Sequence, residues 1–436
     1  MNTPIPNDVA AAEPDPDRSS RRSRPWRRPA VLALALALAI TVVIGLVLAT
    51  SGRTGSGSRP GDPFSGVRLF ADPHSEAAQA RDSMARTHPA AAAVLGRIAS
   101  QPAGFWLGSW IPGTAVAAVV RTVLREAGAS DSMPLLVLYA YPYRGCEQAT
   151  AASTAAYEQW VGQVAAGIGT RRAAVVLEPD ALAEYVRLGC LAAAAQADRV
   201  AIIHRAVGQL AKLPHVALYL DAGNSHWQPA PVMAALLLAA GVREARGFSL
   251  NVSNFYSTAA EESYGDRVGA LLNGMHYVID TSRNGLATAT TWCNAPGQAL
   301  GAVPTVDTGR KLADALLWIK PPGASDGMCN GGPQAGVFWP AYALGLAAKA
   351  RWLPAGSGPL ADGELVGDAM GPLPDRVPVT EVAVQPAEHQ QGQPLRERQA
   401  LRAELAEEDL VLLETRGLGE SRQFHRVGHH RMGQLS

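Results

Sequence analysis

Polar side chains that can carry acid–base chemistry recur at the ends of short β-type runs in this sequence. They are Tyr139, Glu178, Asp180, Asp221, Asn251, Asp280 and Lys320. A single Asp at such a place is usually a helix cap, but a series of polar groups at successive strand ends needs another explanation. Carboxylates brought together there can act as general acid and base. The core region has no G-x-S-x-G elbow, no histidines at metal-ligand spacing and no Gly-rich phosphate loop, so the chemistry favoured is carboxylate-based hydrolysis.

Tryptophan residues accompany these polar groups. Trp227 and Trp292 each lie just beyond a strand end, in a polar and turn-rich segment. Indole faces can stack on sugar rings, while carboxylate and amide groups hydrogen-bond the hydroxyls. Further indoles lie in the same region, and we expect about half of all these tryptophans to belong to the core instead. They are Trp106, Trp110, Trp318 and Trp339. The pattern favours a polysaccharide cleft.

The elements that must position these groups alternate regularly between strand and helix. The β-type runs are 135–139, 174–177, 216–220, 248–250, 277–279 and 316–319, and the helical stretches are 115–126, 155–168, 193–210, 231–238 and 336–351. Alternating strands and helices predict βα units and a parallel sheet. So many units in one region favour an α/β barrel, whose active site lies at the carboxyl ends of the strands.

Composition limits the class of partner. The chain of 436 residues is 47% hydrophobic and 17% charged, with 38 basic and 38 acidic residues. A balanced charge gives no basic surface for nucleic acid, and we expect no nucleic-acid partner. The values are those of a globular protein, and we expect it to be a monomer.

The N-terminal region predicts export. An arginine-rich segment, residues 1–29, precedes an uncharged apolar run at 30–50 that is long enough to cross a bilayer as a helix. Positive charge before the run predicts a cytoplasmic N-terminus and an external remainder, joined by a flexible linker at 51–66. The predicted location is therefore the cell membrane, with a single pass. A cleaved signal peptide is the alternative, and it would make the protein secreted.

Export decides how the cysteines are interpreted. Cys146, Cys190, Cys293 and Cys329 all lie in the exported part. An even number in an oxidising compartment, without C-x-x-C spacing, favours two disulfides over a metal site. Three pairings are possible, and we favour the sequential one.

Six sequence blocks carry a resemblance to a known family. They are VVLEPDALA (175–183), YLDAGNSHW (219–227), GFSLNVSNFY (247–256), YVIDTSRNG (277–285), WCNAPGQALG (292–301) and LWIKPPGASDGMC (317–329). In this order they resemble the signature blocks of glycoside hydrolase family 6, the endoglucanases and cellobiohydrolases that act on β-1,4-glucans. The resemblance implies a distorted, incompletely closed parallel (β/α) barrel over residues 67–352 and an inverting mechanism. It also implies the sequential disulfides, 146 with 190 and 293 with 329.

The resemblance assigns expected roles at the matching positions. Asp180 is the general acid that protonates the departing glycosidic oxygen. The spacing of Glu178, two residues earlier on the same strand face, predicts a buried hydrogen-bonding partner instead. Asp326 is the base or base-assisting carboxylate, Asp221 hydrogen-bonds in the site, and Tyr139 lies near the distorted sugar ring. The expected substrate-binding residues are Trp227, Trp292, Lys320, Asn251, Ser253 and Asn254. No cofactor or metal is implied.

Three positions depart from the family pattern. Gly145 replaces an aspartate that helps set the acid's pKa, Asn224 replaces a histidine, and Ala324 replaces a glutamate. Each change removes an ionisable group, and general acid–base assistance contributes about 10² to 10⁴ in rate. The expected function is hydrolysis of β-1,4-glucan at a reduced rate. The alternative is a surface protein that binds glycan without turnover.

The C-terminal region differs in kind from the rest. Residues 353–436 are rich in Pro and Gly and then in charge, ending in a segment with His and Arg. The resemblance does not reach them. This composition predicts a disordered tail.

Overall fold

The computed structural model describes residues 61–142, 151–186 and 193–351. The arginine-rich segment, the apolar run at 30–50, most of the linker, Gly145, Cys146, Cys190 and the predicted tail lie outside these ranges, so the expectations for them stay predictions. Within the described ranges, no helix combines the length and the apolar character needed to cross a membrane.

Parallel strands form the centre of the fold. The strands are β1 (Arg68–Leu69), β2 (Phe105–Gly108), β3 (Ser132–Met133), β4 (Leu135–Tyr139), β5 (Ala173–Leu177), β6 (Val216–Asp221), β7 (Gly247–Leu250), β8 (His276–Asp280) and β9 (Ala313–Leu317). Seven of them form one sheet in the order β2-β4-β5-β6-β7-β8-β9, and β1 pairs separately with β3. Every pairing is parallel. All the strand carboxyl ends of the large sheet therefore point the same way.

Helices connect most of the strands and cover the outer face. They are α1 (Glu76–Met84), α2 (Pro89–Ala99), α3 (Gly113–Ala129), α4 (Ala151–Ile168), α5 (Ala193–Leu210), α6 (Ala230–Ala239), α7 (Thr258–Leu271) and α8 (Pro340–Ala348). One helix follows each of β2, β4, β5, β6 and β7, and α8 follows β9. The predicted alternation of strand and helix is confirmed.

Both faces of the sheet are buried, which explains the nearly continuous apolar runs. Along β4, Leu136 and Leu138 pack outward against the helices, while Val137 points into the barrel. Val176 on β5 and Tyr219 on β6 join Val137 in this interior cluster. The period-two alternation of a strand thus separates an inner from an outer core.

The barrel is incompletely closed between β2 and β9, as the resemblance implied. These two edge strands do not pair as a ladder. The backbone N–H of Gly104 donates to the carbonyl of Trp318 at 2.9 Å, and the indole Nε1 of Trp106 donates to the carbonyl of Ile319, also at 2.9 Å. A Cβ at Gly104 would collide with that Ile319 carbonyl, so glycine permits the close approach. The predicted distorted barrel is confirmed.

Most predicted elements differ from the observed ones by a few residues at one or both ends, and β9 and α8 show why. Strand β9 covers Ala313–Leu317, whereas the apolar run predicted 316–319, because its pairing with β8 ends at the register Asp280↔Leu317. Helix α8 begins at Pro340 rather than at 336, since Phe338 is extended and bridges Ala324. In both cases long-range pairing sets the boundary.

Candidate active site

A cavity of about 580 Å³ lies at the carboxyl ends of the strands. Eight of the ten described residues expected in the site line it: Tyr139, Asp180, Trp227, Ser253, Asn254, Trp292, Lys320 and Asp326. The other two, Asp221 and Asn251, are fully buried behind its wall. The sequence pattern therefore identified the cavity but not the orientation of each residue.

Aromatic side chains form much of the cavity wall. The rings of Trp106 and Tyr139 meet edge to face, with centroids 5.2 Å apart. Trp292 is 65% exposed, which is unusual for tryptophan and typical of a surface that receives a ligand. Trp110 and Tyr256 also line the cavity. No specific role was predicted for Trp106, Trp110 or Tyr256, because flanking polarity favoured Trp227 and Trp292 among the aromatic residues.

The backbone around Asp180 has unusual conformations. Glu178 has φ 50° and Asp180 has φ 75°, and beyond the neighbouring strands Asn251 and Ser253 have φ 64° and 60°. Positive φ is uncommon for residues other than glycine and costs of order 1 kcal/mol each. Such conformations persist only when surrounding contacts hold them. Their concentration at the strand ends marks this region as the functional end of the barrel.

Glu178 fixes the backbone just after the neighbouring strand β4. Its carboxylate accepts the backbone N–H groups of Ala140 at 2.9 Å and Tyr141 at 3.0 Å. The side chain is 1% exposed and does not line the cavity. Its hydrogen-bonding role agrees with the expectation from the sequence, and the consequence is that Tyr139, next to Ala140, is held at the cavity.

Asp221 holds the backbone that carries Asp180. Its Oδ1 accepts the N–H groups of Asp180 and Gly223, both at 2.9 Å, and Oδ2 accepts the hydroxyl of Ser249 at 3.1 Å. Burial and, second, the nearby charge of Asp180 raise the pKa of Asp221 to about 8, although these three hydrogen bonds lower it. One proton is therefore retained by the two carboxyls at neutral pH. Asp221 acts through Asp180 and does not face the cavity.

Asp280 holds the backbone of the opposite wall in the same way, by accepting N–H groups. It accepts the N–H of Ser253 at 3.0 Å and that of Lys320 at 3.0 Å. It is fully buried, and burial raises its pKa. The expectation that Asn251 lines the cleft is corrected here, since its amide donates to the carbonyls of Asp280 and Tyr256. A buried amide with its hydrogen bonds satisfied within the protein is not available to a sugar.

Asp326 lies in the cavity wall between two cations. Arg283 Nη1 donates to Oδ2 at 2.6 Å, and Lys320 Nζ lies 3.1 Å from Oδ1. Burial alone would raise the pKa of Asp326, but the charges of Lys320 and Arg283 outweigh it and lower the pKa to about 2. Asp326 therefore stays ionised at any working pH. The fully buried Arg283 was not anticipated, although it stands in one of the quoted blocks.

Asn294 and a disulfide support the Asp326 loop. Asn294 N–H donates to Asp326 Oδ2 at 2.8 Å, and Asp326 N–H donates back to Asn294 Oδ1 at 2.8 Å. Directly beside this pair, Cys293 is bonded to Cys329. This confirms one of the two expected disulfides, and the other lies outside the described residues. Trp292 therefore sits on a loop that is covalently tied to the Asp326 loop.

Two of the three departures from the family pattern are visible in the cavity wall. Asn224 is 4% exposed and its Oδ1 accepts the N–H of His226 at 3.0 Å. Ala324 is also 4% exposed and lines the cavity without a polar group. Neither can exchange a proton with a substrate.

Among residues 61–142, 151–186 and 193–351, no three acidic, His or Cys side chains are grouped to hold a metal ion.

The arrangement can support cleavage of a glycosidic bond. A half-buried Asp180 lines the cavity with its backbone fixed, and a second carboxylate, Asp326, is held ionised in the same wall. Two carboxyl groups of different protonation, together with aromatic platforms, are what acid-assisted hydrolysis of a polysaccharide requires.

Comparison with known sequences identifies relatives with this core. Residues 64–350 match the family model described as Glycosyl hydrolases family 6. Endoglucanase A of Cellulomonas fimi is 39% identical over 292 residues, which cover 66% of this chain and 62% of that protein. Endoglucanase 1 of Streptomyces halstedii is 39% identical over 290 residues, covering 63% and 87%. The chain thus spans less than two thirds of the length of the first of these relatives.

Solved structures agree with the sequence comparison. The endoglucanase Cel6 from Mycobacterium tuberculosis, in complex with a methyl-cellobiosyl-thio-cellobioside, has a TM-score of 0.61 and is 43% identical, covering 66% of this chain and 98% of that one. Endoglucanase CEL6B from Humicola insolens has a TM-score of 0.58 at 27% identity, covering 66% and 99%. The barrel fold is therefore similar to that of known endoglucanases.

Proposed function

The chain belongs to glycosyl hydrolase family 6, and from this premise we propose that it hydrolyses β-1,4-glucosidic bonds of a glucan with inversion at the anomeric carbon. The observation that carries the proposal is Asp180, which faces the cavity on a backbone held by Asp221. Four relatives at 37–39% identity are endoglucanases.

Asp180 is the general acid in this proposal. It donates its proton to the glycosidic oxygen as the bond to the anomeric carbon breaks. The Asp180–Asp221 pair retains one proton at neutral pH, because two neighbouring negative charges, one of them fully buried, cannot both form at low cost. Tyr139, whose ring packs against Trp106, closes the wall beside this acid.

Water attacks from the opposite face of the sugar ring. Asp326 is a poor proton acceptor, because Lys320 and Arg283 keep its pKa at about 2. We assign it an electrostatic task instead, in which its negative charge stabilises the positive charge that develops at the anomeric carbon. The proton of the attacking water then leaves through solvent, which is consistent with a reduced rate.

The test is turnover by the purified full-length chain on soluble β-1,4-glucan, with Asp180→Asn as the matched variant. We expect release of reducing ends, with the α-anomer of the product appearing first in ¹H NMR, and a loss of about 10² to 10⁴ in kcat for the variant. Equal activity in the two proteins would exclude Asp180 as the acid. A β-anomer appearing first would exclude inversion.

A glycan-binding protein without turnover is the second candidate. The polar but non-ionisable Asn224 and the apolar Ala324 in the cavity wall favour it. Under this alternative the full-length chain binds cellohexaose with the same affinity as the Asp180→Asn variant, and no reducing ends form on extended incubation.

The N-terminal segment indicates where in the cell this activity is located. We propose that the apolar run at 30–50 anchors the chain, with the arginines inside and the barrel outside the cell. Protease added to intact cells should then remove the barrel. Full protection of the barrel would contradict the proposal, and recovery of a shortened protein in the medium would indicate a cleaved signal peptide.

A further inference from the structure

A histidine outside the expected site residues lines the same cavity. His226 is exposed, and its ring stacks on that of Tyr256 with centroids 4.1 Å apart and an interplanar angle of 8°. Its backbone N–H donates to Asn224 Oδ1 at 3.0 Å. An exposed side chain held by a stack and a fixed backbone is not a mobile surface residue.

A buried carboxylate lies behind this histidine. Glu261 on α7 is 0% exposed, and its Oε1 accepts the hydroxyl of Ser225 at 2.7 Å. It also accepts the backbone N–H of Ser225, at 3.0 Å and 3.2 Å to its two oxygens. The Ser225 hydroxyl oxygen lies 2.9 Å from His226 Nδ1. Glu261, Ser225 and His226 therefore form one continuous chain that ends at the cavity.

The direction of these hydrogen bonds fixes the histidine tautomer. An ionised carboxylate only accepts, so the Ser225 hydroxyl donates to Glu261 and its oxygen must accept from His226. The proton of the neutral imidazole is then on Nδ1, and Nε2 carries a lone pair. Nε2 makes no hydrogen bond to any residue that the structure describes. Burial raises the pKa of Glu261 to about 7, so at pH 8 the carboxylate is the main form.

We propose that His226 is a specificity-determining residue whose Nε2 accepts a hydrogen bond from a hydroxyl group of the glycan, with Ser225 and Glu261 as positioning residues. The inference rests on the proposed function for the substrate class. A sugar hydroxyl can donate a hydrogen bond, so a fixed acceptor next to the aromatic faces of Trp227 and Tyr256 discriminates by the position of the hydroxyl.

Binding measurements on an inactive background test the proposal. We compare Asp180→Asn with the double variants Asp180→Asn/His226→Phe and Asp180→Asn/His226→Ala, using calorimetry with cellohexaose at pH 8. Phenylalanine keeps a ring to stack on Tyr256 but removes the acceptor. We expect a three- to tenfold weaker Kd for the Phe variant, as for loss of one neutral hydrogen bond (about 0.5–1.5 kcal/mol). We expect at least as large a loss for Ala, with unchanged melting temperatures.

Steady-state kinetics add a second readout. In the active background, His226→Phe should raise KM by the same factor and leave kcat nearly unchanged, since a hydrogen bond made equally in the ground and transition states affects binding only. A Kd for the Phe variant equal to that of the Asp180→Asn background would overturn the role of His226 while leaving the substrate class intact. Absence of both binding and turnover on cellohexaose would overturn the proposed function and this inference together.

The tautomer has its own test. In ¹⁵N-histidine-labelled protein at pH 8, the His226 signal, assigned by its loss in His226→Phe, should report a proton on Nδ1. Ser225→Ala should convert it to a mixture of tautomers and weaken the Kd less than His226→Phe does. A native proton on Nε2 would contradict the proposed acceptor.

Discussion

The carboxylate of Asp221 accepts a hydrogen bond of 2.9 Å from the backbone N–H of Asp180, 41 positions earlier in the chain. Asp180 has φ 75°, a conformation that an aspartate does not keep without support. Gly223, with φ 67°, donates to the same oxygen, and a Cβ there would lie 2.6 Å from that of Ala183. One buried carboxylate therefore ties the turns after β5 and β6 together and orients the acid.

The first prediction concerns the charge on Asp221. In Asp221→Asn the amide oxygen can still accept both N–H groups, but the partner charge is lost. Asp180 then gives up its proton at lower pH, so the descending limb of the pH–rate profile should move down by about one unit or more. The measurement is kcat between pH 4 and 9, with the exposed Asp198→Asn as control. An unchanged descending limb would show that the charge of Asp221 does not affect the pKa of Asp180.

The same variant should change the dependence of stability on pH. The pKa of Asp221 is raised from 3.8 to about 8, so the Asp180–Asp221 pair in the folded protein holds one proton that the unfolded chain has already released. The contribution of this group to the free energy of unfolding therefore falls as pH rises from 4 to 8, by up to about 1.4 kcal/mol per pH unit. Urea unfolding should show a shallower decline in Asp221→Asn. If the free energy of unfolding depends on pH equally in the variant and the native protein, the raised pKa does not belong to Asp221.

The second prediction concerns Lys320, whose contribution to stability is lost as pH falls rather than as pH rises. Asp326 has a lowered pKa, so its ion pairs stabilise the fold above the ordinary pKa of an aspartate, and this stability is lost as pH falls towards 2. Lys320→Met leaves Arg283 in place and should lower the free energy of unfolding at pH 6 by about 1.5–3 kcal/mol. Near pH 2 the variant and the native protein should converge. The exposed Lys212→Met is the control. An equal loss of stability in Lys320→Met at pH 6 and near pH 2 would contradict the ion pair with Asp326 as its cause.

The third prediction concerns the disulfide between Cys293 and Cys329. It closes a loop with a sequence separation of 36. In the chain-entropy model, the double change to Ser should cost about 4 kcal/mol of stability. It should also raise KM, because the loop carries Trp292. Reductant should weaken the native protein more than the double variant, in which only the second predicted pair is left to reduce. Non-reducing peptide mapping also tests the second predicted pair, Cys146 with Cys190.

The fourth prediction concerns Gly145, which lies outside the described residues. Gly145→Asp should restore a carboxylate near Asp180 and raise kcat by about tenfold or more, equal to about 1.4 kcal/mol in barrier. Melting temperature is measured with the rate, since a positive-φ turn at glycine would make the variant less stable. No gain in rate at unchanged stability would favour the glycan-binding alternative.

The fifth prediction concerns the mode of attack on the polymer. The segment 251–257 between β7 and α7 is short, and the longer segments 281–312 and 318–339 are tied to each other by the Cys293–Cys329 disulfide. Trp292 on the first of these segments is 65% exposed, which is consistent with a cleft open to solvent, so we expect cleavage within the chain. Viscosity of a soluble glucan should fall early relative to release of reducing ends. Steady release of cellobiose at nearly constant viscosity would indicate an enclosed tunnel instead.

The sequence by itself determined the class of the fold and the place of the site. Apolar runs that end in Tyr139, Asp180, Asp221 and Lys320 predicted a parallel sheet with polar groups at its carboxyl end, because a buried strand must exclude polar side chains until it leaves the core. The bounds of β4 and α5 were predicted as observed. The pairing of Cys293 with Cys329 also followed from the family resemblance.

Tertiary structure alone decided which polar residues face the cavity. Period-two alternation stops where a strand ends, and at Asp180 and Asn251 the backbone then turns to positive φ, so local spacing no longer gives a direction. Whether such a residue meets substrate or holds a neighbouring loop depends on which N–H groups that loop presents. Asp221 meets the N–H of Asp180 and turns inward for this reason, whereas Asp326 meets Arg283 and Lys320 in the cavity wall. These partners are brought together by the closure of the barrel, which no local pattern records.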